Sequence, residues 1–217
     1  MNWKRGISQE MLKLIACVTM LMDHVGAVFF PGELEWRLVG RMAFPIYCFL
    51  MAEGMARTSN VKKYGLRLAI GAVLAEMPFD LLFFGKPTLA HQSVMVTLLL
   101  GYGMVLLMEK FPKFQLFVLF AAGLAAELLA TDYGALGIYM IWMFVMTKEM
   151  PRRNLLQTVL LAAGTWAING YWVQMFAVAA MVPIALYHGR KAGHSKVIQW
   201  MFYLFYPVHL GILWFLS

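Results

Sequence analysis

Apolar positions form long runs along this chain, and short polar gaps separate the runs. A transmembrane helix needs about 20 apolar residues, or somewhat fewer when it is packed or tilted. Nine runs approach this length: 10–30, 36–56, 64–84, 91–109, 114–130, 133–148, 154–170, 172–187 and 197–216. The pattern therefore predicts an all-α fold, a polytopic transmembrane helix bundle of about nine spans, built as a single domain over residues 1–217.

Lysine and arginine are distributed unevenly between the gaps. The N-terminal tail and every second gap after it are basic, whereas the alternate gaps contain only Arg37, Arg41 and Lys86. Cytoplasmic loops of membrane proteins carry an excess of Lys and Arg. The alternation predicts a cytoplasmic N-terminus and, with an odd number of spans, a C-terminus outside.

Composition supports a membrane location. The chain is 62% hydrophobic and 13% charged, whereas soluble domains are about half apolar and about a quarter charged. The net charge of +7 is explained by basic cytoplasmic loops, so we expect the lipid bilayer as a partner and no nucleic acid. The five histidines are scattered, and the sequence predicts no metal site.

Polar residues within the apolar runs collect toward one side of the predicted membrane. An ionisable group at membrane depth costs about 3 kcal/mol on insertion scales and usually faces a cavity or a partner. Counting about 1.5 Å per helical residue places His24, Arg41, Glu76, Asp80 and His209 in the outer half. This convergence from several spans predicts a polar site there.

Each of these residues has a functional and a structural interpretation. His24 is either a general base or a hydrogen-bonded interior histidine. Asp23 precedes it, and adjacent helical residues point about 100° apart, so we expect Asp23 to pair with a cation such as Arg41. Arg41 either binds an anion or completes that ion pair, and the pair is favoured.

The third and last spans contribute the candidate substrate ligands. Glu76 and Asp80 flank a proline that frees backbone carbonyls, so they mark either a substrate site or a helix kink. His209 either binds substrate or packs beside its neighbouring proline. Tyr206 precedes that proline and is counted with these candidates.

The cytoplasmic side contributes the candidate cofactor ligands. Arg57, Arg67, Arg190 and Lys191 either hold the phosphates of a nucleotide-like cofactor or simply follow the charge rule for cytoplasmic loops. Glu53 lies at the same end of the second span and is counted with them.

Motifs spread along nearly the whole chain resemble the TraX-like family, named for the conjugative pilin acetylase. The resemblance rests on an ordered set of segments rather than on one specific motif. These segments are Asp23-His24-Val25-Gly26, Gly40-Arg41-Met42-Ala43-Phe44-Pro45, Glu76-Met77-Pro78-Phe79-Asp80, Thr97-Leu98-Leu99-Leu100-Gly101, Tyr187-His188-Gly189-Arg190 and Phe205-Tyr206-Pro207-Val208-His209.

The resemblance implies an acyltransferase domain that uses cytosolic acetyl-CoA to acetylate an amine, in the founding case the N-terminus of pilin. It implies that His24 is the catalytic base, with Asp23 and Arg41 close by. The phosphates of acetyl-CoA would dock at the basic loops, and a peptide or amine acceptor would enter from the outer side. Ser93 and His188 depart from the family pattern, which expects asparagine at both positions.

The function predicted from the sequence is therefore a membrane-embedded, acetyl-CoA-dependent N-acetyltransferase of a bacterial-type cytoplasmic (inner) membrane. A transporter or channel, whose polar cluster is a permeation site, is the alternative. In a third interpretation the polar residues serve an inert scaffold.

Overall fold

The computed structural model describes residues 6–169, 172–189 and 196–217. This part of the chain forms ten α-helices and no β-strand. The helices are α1 Gln9–Phe29, α2 Leu34–Gly40, α3 Ala43–Arg57, α4 Val61–Phe84, α5 Val94–Lys110, α6 Gln115–Leu128, α7 Gly134–Met146, α8 Arg153–Asn169, α9 Met181–Ala185 and α10 Lys196–Leu216. Two 3₁₀ segments, Pro112–Phe114 and Trp172–Ala180, connect helices.

Local sequence signals explain where several helices begin and end. The Ser8 side chain accepts a hydrogen bond from the backbone N–H of Met11 and caps α1. Asn60 caps α4 in the same way through the N–H of Lys63, at 2.8 Å. Gly85 ends α4 with a φ of 70°, a left-handed conformation that glycine adopts without steric cost.

Each of the nine predicted apolar segments is helical, but two differ from a single α-helix. The second is broken after Gly40 into α2 and α3. Pro45 explains the break, because it has no N–H to donate to the carbonyl of Arg41 and its ring crowds that carbonyl. The eighth segment is mostly 3₁₀ helix followed by the short α9, a difference in hydrogen-bond register that hydropathy does not encode.

Helix α3 lies at the centre of the bundle. Most of its side chains are buried, and it packs against α1, α7 and the second 3₁₀ segment. Around it, α4 packs mainly on α10, and α5 lies between α4 and the α6–α7 pair. The remaining helices present apolar side chains outward.

Apolar stripes on the outer helices face away from the protein. On α4, Leu66, Val73 and Met77 are more than 60% exposed, and on α6 Phe117 and Leu128 are more than 70% exposed. Soluble proteins rarely expose contiguous apolar surface on this scale. Lipid contact explains the stripes, and the described residues form a helical integral membrane protein.

Two helical stretches, Gln9–Phe29 and Leu34–Arg57, are long and apolar enough to cross a membrane alone. Helices α5 and α6 qualify together as a pair bent by 118°. Length and composition thus support two or three spans directly. The count of nine and the positions of the two termini stay predictions.

Candidate functional site

A cavity of about 380 Å³ opens among the helix ends on the side predicted to face outward. Its walls come from the second half of α1, from α2, from the start of α3 and from the end of α4. The loops before α5 and α7 and the middle of α10 complete it. His24, Asp23 and Arg41, the three residues predicted to be catalytic, all line this cavity.

Two glycines allow α2 to lie against α1 at this cavity. A Cβ atom added to Gly40 would collide with the side chain of Asp23, and one added to Gly26 would collide with Trp36. Because neither glycine has a side chain, the α2 backbone reaches α1 closely enough for its arginines to meet Asp23. The glycines are therefore part of how the site is built.

Asp23, which is largely buried, forms ion pairs with two arginines, one in α2 and one directly after it. Its Oδ1 lies 2.7 Å from Arg41 Nη2, and its Oδ2 lies 2.9 Å from Arg37 Nη1. The predicted pairing of Asp23 with Arg41 is confirmed. Arg37 was missed as the second partner, although its spacing of four residues from Arg41 places both side chains on one helix face.

Arg41 is held by further polar contacts. Its Nη1 donates to Gln174 Oε1 at 3.3 Å, and its Nε donates to the carbonyl of Arg37 at 3.3 Å. The guanidinium also lies over the ring of Tyr133, 6.0 Å from the centroid. A guanidinium has five N–H groups, of which these contacts and Asp23 use three. Two remain for a ligand.

His24 forms a hydrogen-bonded pair with His209, 185 residues further along the chain. Nδ1 of His24 lies 2.7 Å from Nε2 of His209, and the two ring planes are within 6° of parallel, with their centroids 5.0 Å apart. Nδ1 of His209 in turn lies 2.7 Å from the carbonyl oxygen of Phe205. His209 is 5% exposed, and of the two rings only that of His24 lines the cavity.

These contacts determine the tautomers of a neutral pair. A carbonyl oxygen only accepts, so Nδ1 of His209 carries the hydrogen and its Nε2 is an acceptor. Nδ1 of His24 must then donate to it, which leaves Nε2 of His24 without a hydrogen. No other described residue hydrogen-bonds to that nitrogen. His24 is therefore arranged to accept a proton at Nε2.

The loop before α7 brings a second carboxylate to the cavity. Asp132 lines it, and its backbone is fixed by an N–H···O bond of 2.8 Å to Gln92 and by the Thr97 hydroxyl, which donates to its carbonyl. Ala130 and Tyr133, on either side, have φ angles of 48° and 66°. Such values are uncommon for non-glycine residues and often occur at functional sites.

Asp132 has no ion-pair partner within 4.0 Å among the described residues. Burial raises the pKa of its carboxyl, while the nearby His91 and Arg41 act to lower this pKa. Asp132 was not selected from the sequence as a site residue. An acidic residue in a short gap, two positions before the glycine that begins a helix, was the available signal, and such signals are common in loops.

The other predicted substrate ligands divide into two groups. Tyr206 lines the cavity, and its ring lies 6.0 Å from that of His24. Glu76 and Asp80 do not line it. Instead, Glu76 accepts a hydrogen bond from the N–H of Ser93, and Asp80 accepts one from the N–H of Thr88. They hold the loop between α4 and α5, and a substrate role for them stays a prediction.

The predicted cofactor ligands lie at the opposite end of α3. Glu53 is 2% exposed and pairs with Arg57 at 2.7 Å. Arg57 also donates to the carbonyl of Gly189 at 2.5 Å, and the backbone of Ile7 pairs with the same segment through Leu186. This group, Glu53, Arg57 and the segment 186–189, is called the inner cluster below.

Arg67 lies nearby on α4, between the rings of Tyr64 and Tyr203 at 5.9 and 5.7 Å. Its stacked guanidinium is held by aromatic faces rather than by a carboxylate. Arg190 and Lys191 lie outside the described residues. The cofactor-binding role of all five residues stays a prediction.

Comparison with known proteins assigns a family. A family profile described as "TraX protein" matches residues 8–217. Over 231 aligned positions the chain is 28% identical to a probable fimbrial assembly protein, FimC, of Dichelobacter nodosus, covering 93% of this chain and 92% of that protein. A shorter stretch of 41 residues is 39% identical to an uncharacterised protein of Rickettsia prowazekii, with 19% and 16% coverage. No solved structure matches significantly.

Proposed function

The chain belongs to the TraX protein family, and from that premise we propose that it is a membrane-embedded acetyltransferase. It moves an acetyl group from cytosolic acetyl-CoA to an amine that reaches the cavity from the outer half of the membrane. The observation that carries the proposal is the His24–His209 pair, which leaves a proton-accepting nitrogen on a cavity-lining histidine.

His24 is the general base in this proposal. Its Nε2 takes a proton from the acceptor nitrogen as that nitrogen attacks the thioester carbonyl. His209 is a positioning residue, since it orients the His24 ring and passes no group to the substrate. The carbonyl of Phe205 fixes the tautomer of His209, in the way that outer partners commonly orient functional imidazoles.

Arg41 stabilises the negative charge that develops on the thioester carbonyl oxygen. Two of its N–H groups form no hydrogen bond with the described residues, and the ion pair with Asp23 keeps the guanidinium in place before the reaction. Preorganised donors of this kind typically contribute about 10²- to 10³-fold to the rate. Asp23 therefore supports Arg41 rather than acting as an acid.

The reaction balances as a transfer to a neutral amine. The acceptor arrives as an ammonium and first loses one proton. The new N–C bond forms as the C–S bond breaks, and the nitrogen loses a second proton to His24. One proton ends on the thiol of coenzyme A, and the other is released to solvent. Direct transfer and an acetyl-histidine route both use the same His24 nitrogen.

The acyl donor approaches from the cytoplasmic side in this proposal. Arg57 uses two of its five N–H groups for Glu53 and Gly189, which leaves donors for a phosphate. Arg67 adds positive charge nearby on α4, and Arg190 and Lys191 are proposed to contribute to the same phosphate site from the basic loop before the last span. The proposed location is the inner membrane of a bacterium, where acetyl-CoA is available on the cytosolic face.

The proposed acceptor is the N-terminal amine of a fimbrial or pilus subunit. The Dichelobacter nodosus relative is described as a probable fimbrial assembly protein, and an amine-acetylating enzyme fits such an assembly by modifying the subunit that is assembled. Small amines are the other acceptors to include in an assay.

The test is acetyl transfer by the purified protein in detergent, with radiolabelled acetyl-CoA and a panel of peptides and small amines. We expect transfer by the wild type and a loss of about 10²- to 10⁴-fold in the His24→Ala variant, because the general base is removed. Size-exclusion profiles of the two proteins control for folding. Wild-type transfer no higher than the His24→Ala background across the panel contradicts the proposal, and ligand flux in proteoliposomes without an acyl donor favours a transporter.

A further inference from the structure

Asp132 is the one carboxylate of the cavity wall that has no ion-pair partner within 4.0 Å among the described residues, and His91 and Arg41 act on it only from a greater distance. The other, Asp23, is shared by Arg37 and Arg41. The backbone bonds of Asp132 to Gln92 and Thr97 hold it in a loop with two left-handed non-glycine residues. Its half-buried carboxyl accepts a hydrogen bond from the backbone N–H of Tyr133 but has no ion-pair partner. A charge taken partly out of water without a counter-charge is costly, so its retention in a cavity wall points to a cationic ligand.

The remaining walls are rich in aromatic rings. Seven aromatic residues line the cavity: Phe44, Tyr47, Phe79, Phe83, Phe84, Tyr133 and Tyr206. Aromatic faces attract an ammonium group and also accept apolar groups. A carboxylate among such rings is the arrangement expected for binding an amine in its protonated form, with an apolar group beside it.

Resting on the proposed function, we infer that Asp132 binds the ammonium of the acceptor and that the acceptor is a monoamine with an apolar group next to its nitrogen. Arg37 and Arg41, which also line the cavity, repel a second positive charge. Polyamines and peptides that begin with lysine or arginine are therefore poor acceptors. Asp132 holds the ammonium before its first proton is lost to solvent, and His24 takes the second proton during attack, so the two residues act at successive steps.

Equilibrium binding tests this inference without relying on catalysis. The probes are a short peptide amide that begins with N-trimethylated phenylalanine, which is cationic and cannot be acetylated, and its neutral des-amino analogue. Isothermal titration calorimetry in detergent measures both. We expect the wild type to bind the cationic peptide about 10- to 100-fold more tightly, through ion pairing with Asp132 and cation–π contacts, since a trimethylammonium group has no N–H to donate.

The variants then locate the interaction. Asp132→Asn should lose most of the difference between the two peptides, because only the cation–π contacts remain, and Asp132→Glu should recover part of it. Glu35→Gln, which changes an exposed carboxylate near the same end of the molecule, should match the wild type. Equal wild-type affinities for the two peptides overturn the inference even if Asp132→Asn does not fold, and so does an unchanged difference in a folded Asp132→Asn variant.

Activity separates this inference from the proposed function. Wild-type binding that prefers the cation, without acetyl transfer to the unmethylated peptide, supports the amine site and contradicts the acetyltransferase. Acetyl transfer with an unchanged KM for the peptide in Asp132→Asn contradicts only the role of Asp132. Replacing the first residue of the peptide by lysine should raise KM by about tenfold or more through charge repulsion.

Discussion

The cavity lined by Asp23, His24 and Arg41, called the outer cavity here, and the inner cluster both contain a carboxylate paired with arginine, but the two ion pairs have different contacts. In the inner cluster Glu53 and Arg57 pair within one helix, and Arg57 then holds the backbone carbonyl of Gly189. In the outer cavity Asp23 on α1 pairs with Arg37 and Arg41 at the end of α2, and Arg41 also donates a hydrogen bond to Gln174. The inner pair holds the segment 186–189 in place through Arg57. In the outer pair, Arg41 lines the cavity and has N–H groups that no described residue accepts.

The difference shows what makes a buried ion pair part of a site. Removing one partner of a buried pair leaves an uncompensated charge wherever the pair lies, so both groups contribute to stability. Only the outer pair lies beside a proton-accepting histidine and an unneutralised carboxylate in one cavity. Four predictions test this contrast, from the largest expected effect to the smallest.

Arg41→Gln should reduce acetyl transfer by about 10²- to 10³-fold, because it removes the donors aimed at the developing oxyanion. Arg37→Gln is the matched change on the same carboxylate. It leaves Arg41 paired with Asp23, so we expect a loss of thermal stability with a much smaller loss of activity. Single-turnover transfer rates and thermal unfolding of both variants make the comparison. Equal activities in the two variants contradict the assignment of the oxyanion role to Arg41.

His209→Asn should lower kcat by about 10- to 100-fold, with little change in the KM for either substrate. The change removes the partner that orients His24, while His24 and the cavity lining remain. Steady-state kinetics separate kcat from KM. A raised acceptor KM with unchanged kcat assigns His209 to substrate binding instead, as the sequence allowed.

Gly40→Ala should destabilise the protein by about 1–3 kcal/mol, because the new methyl group collides with Asp23 and pushes α2 away from α1. Gly164→Ala on α8 is the control, since a Cβ atom there meets no other atom within 4 Å. It should stabilise by about 0.5–1 kcal/mol through helix propensity. Thermal unfolding in detergent measures both. Equal shifts would show that close approach at Gly40 does not matter.

Arg57→Gln should raise the KM for acetyl-CoA several-fold and leave the KM for the acceptor unchanged, because the inner cluster lies at the donor side in the proposed function. Glu53 is 2% exposed, so the loss of Arg57 leaves a buried carboxylate without its cation, and the variant should also be less stable. Kinetic constants are therefore measured below its unfolding temperature. A changed KM for the acceptor would contradict the proposal that acetyl-CoA binds at the inner cluster and the acceptor binds in the outer cavity.

Much of the architecture was predictable because it depends on local properties. Hydropathy over about 20 residues determines which segments leave water, and all nine segments predicted in this way are helical. Asp23 and Arg41 were predicted to pair, since two opposite charges at similar depth in adjacent spans have few other partners. The break at Arg41 and the 3₁₀ segment were missed, because hydropathy does not report backbone hydrogen-bond register.

The candidate site was predictable only in part. Asp23, His24 and Arg41 were selected from the sequence and do line one cavity. Glu76 and Asp80 were selected for the same site, yet their carboxylates accept hydrogen bonds from backbone N–H groups of the loop between α4 and α5. Their depth was similar to that of the cavity residues. Which way a side chain turns at that depth depends on the neighbouring helices.

The sequence by itself determined that the chain is a bundle of apolar helices with polar groups concentrated toward one side, because length, hydropathy and charge act within each segment. Only the tertiary structure decided that His24 meets His209 across 185 residues and that Asp132 lines the cavity without an ion-pair partner among the described residues. Helical periodicity predicts which residues share a helix face, but not which other helix packs against that face. This packing depends on the whole bundle, including the two glycines that allow α2 to approach α1.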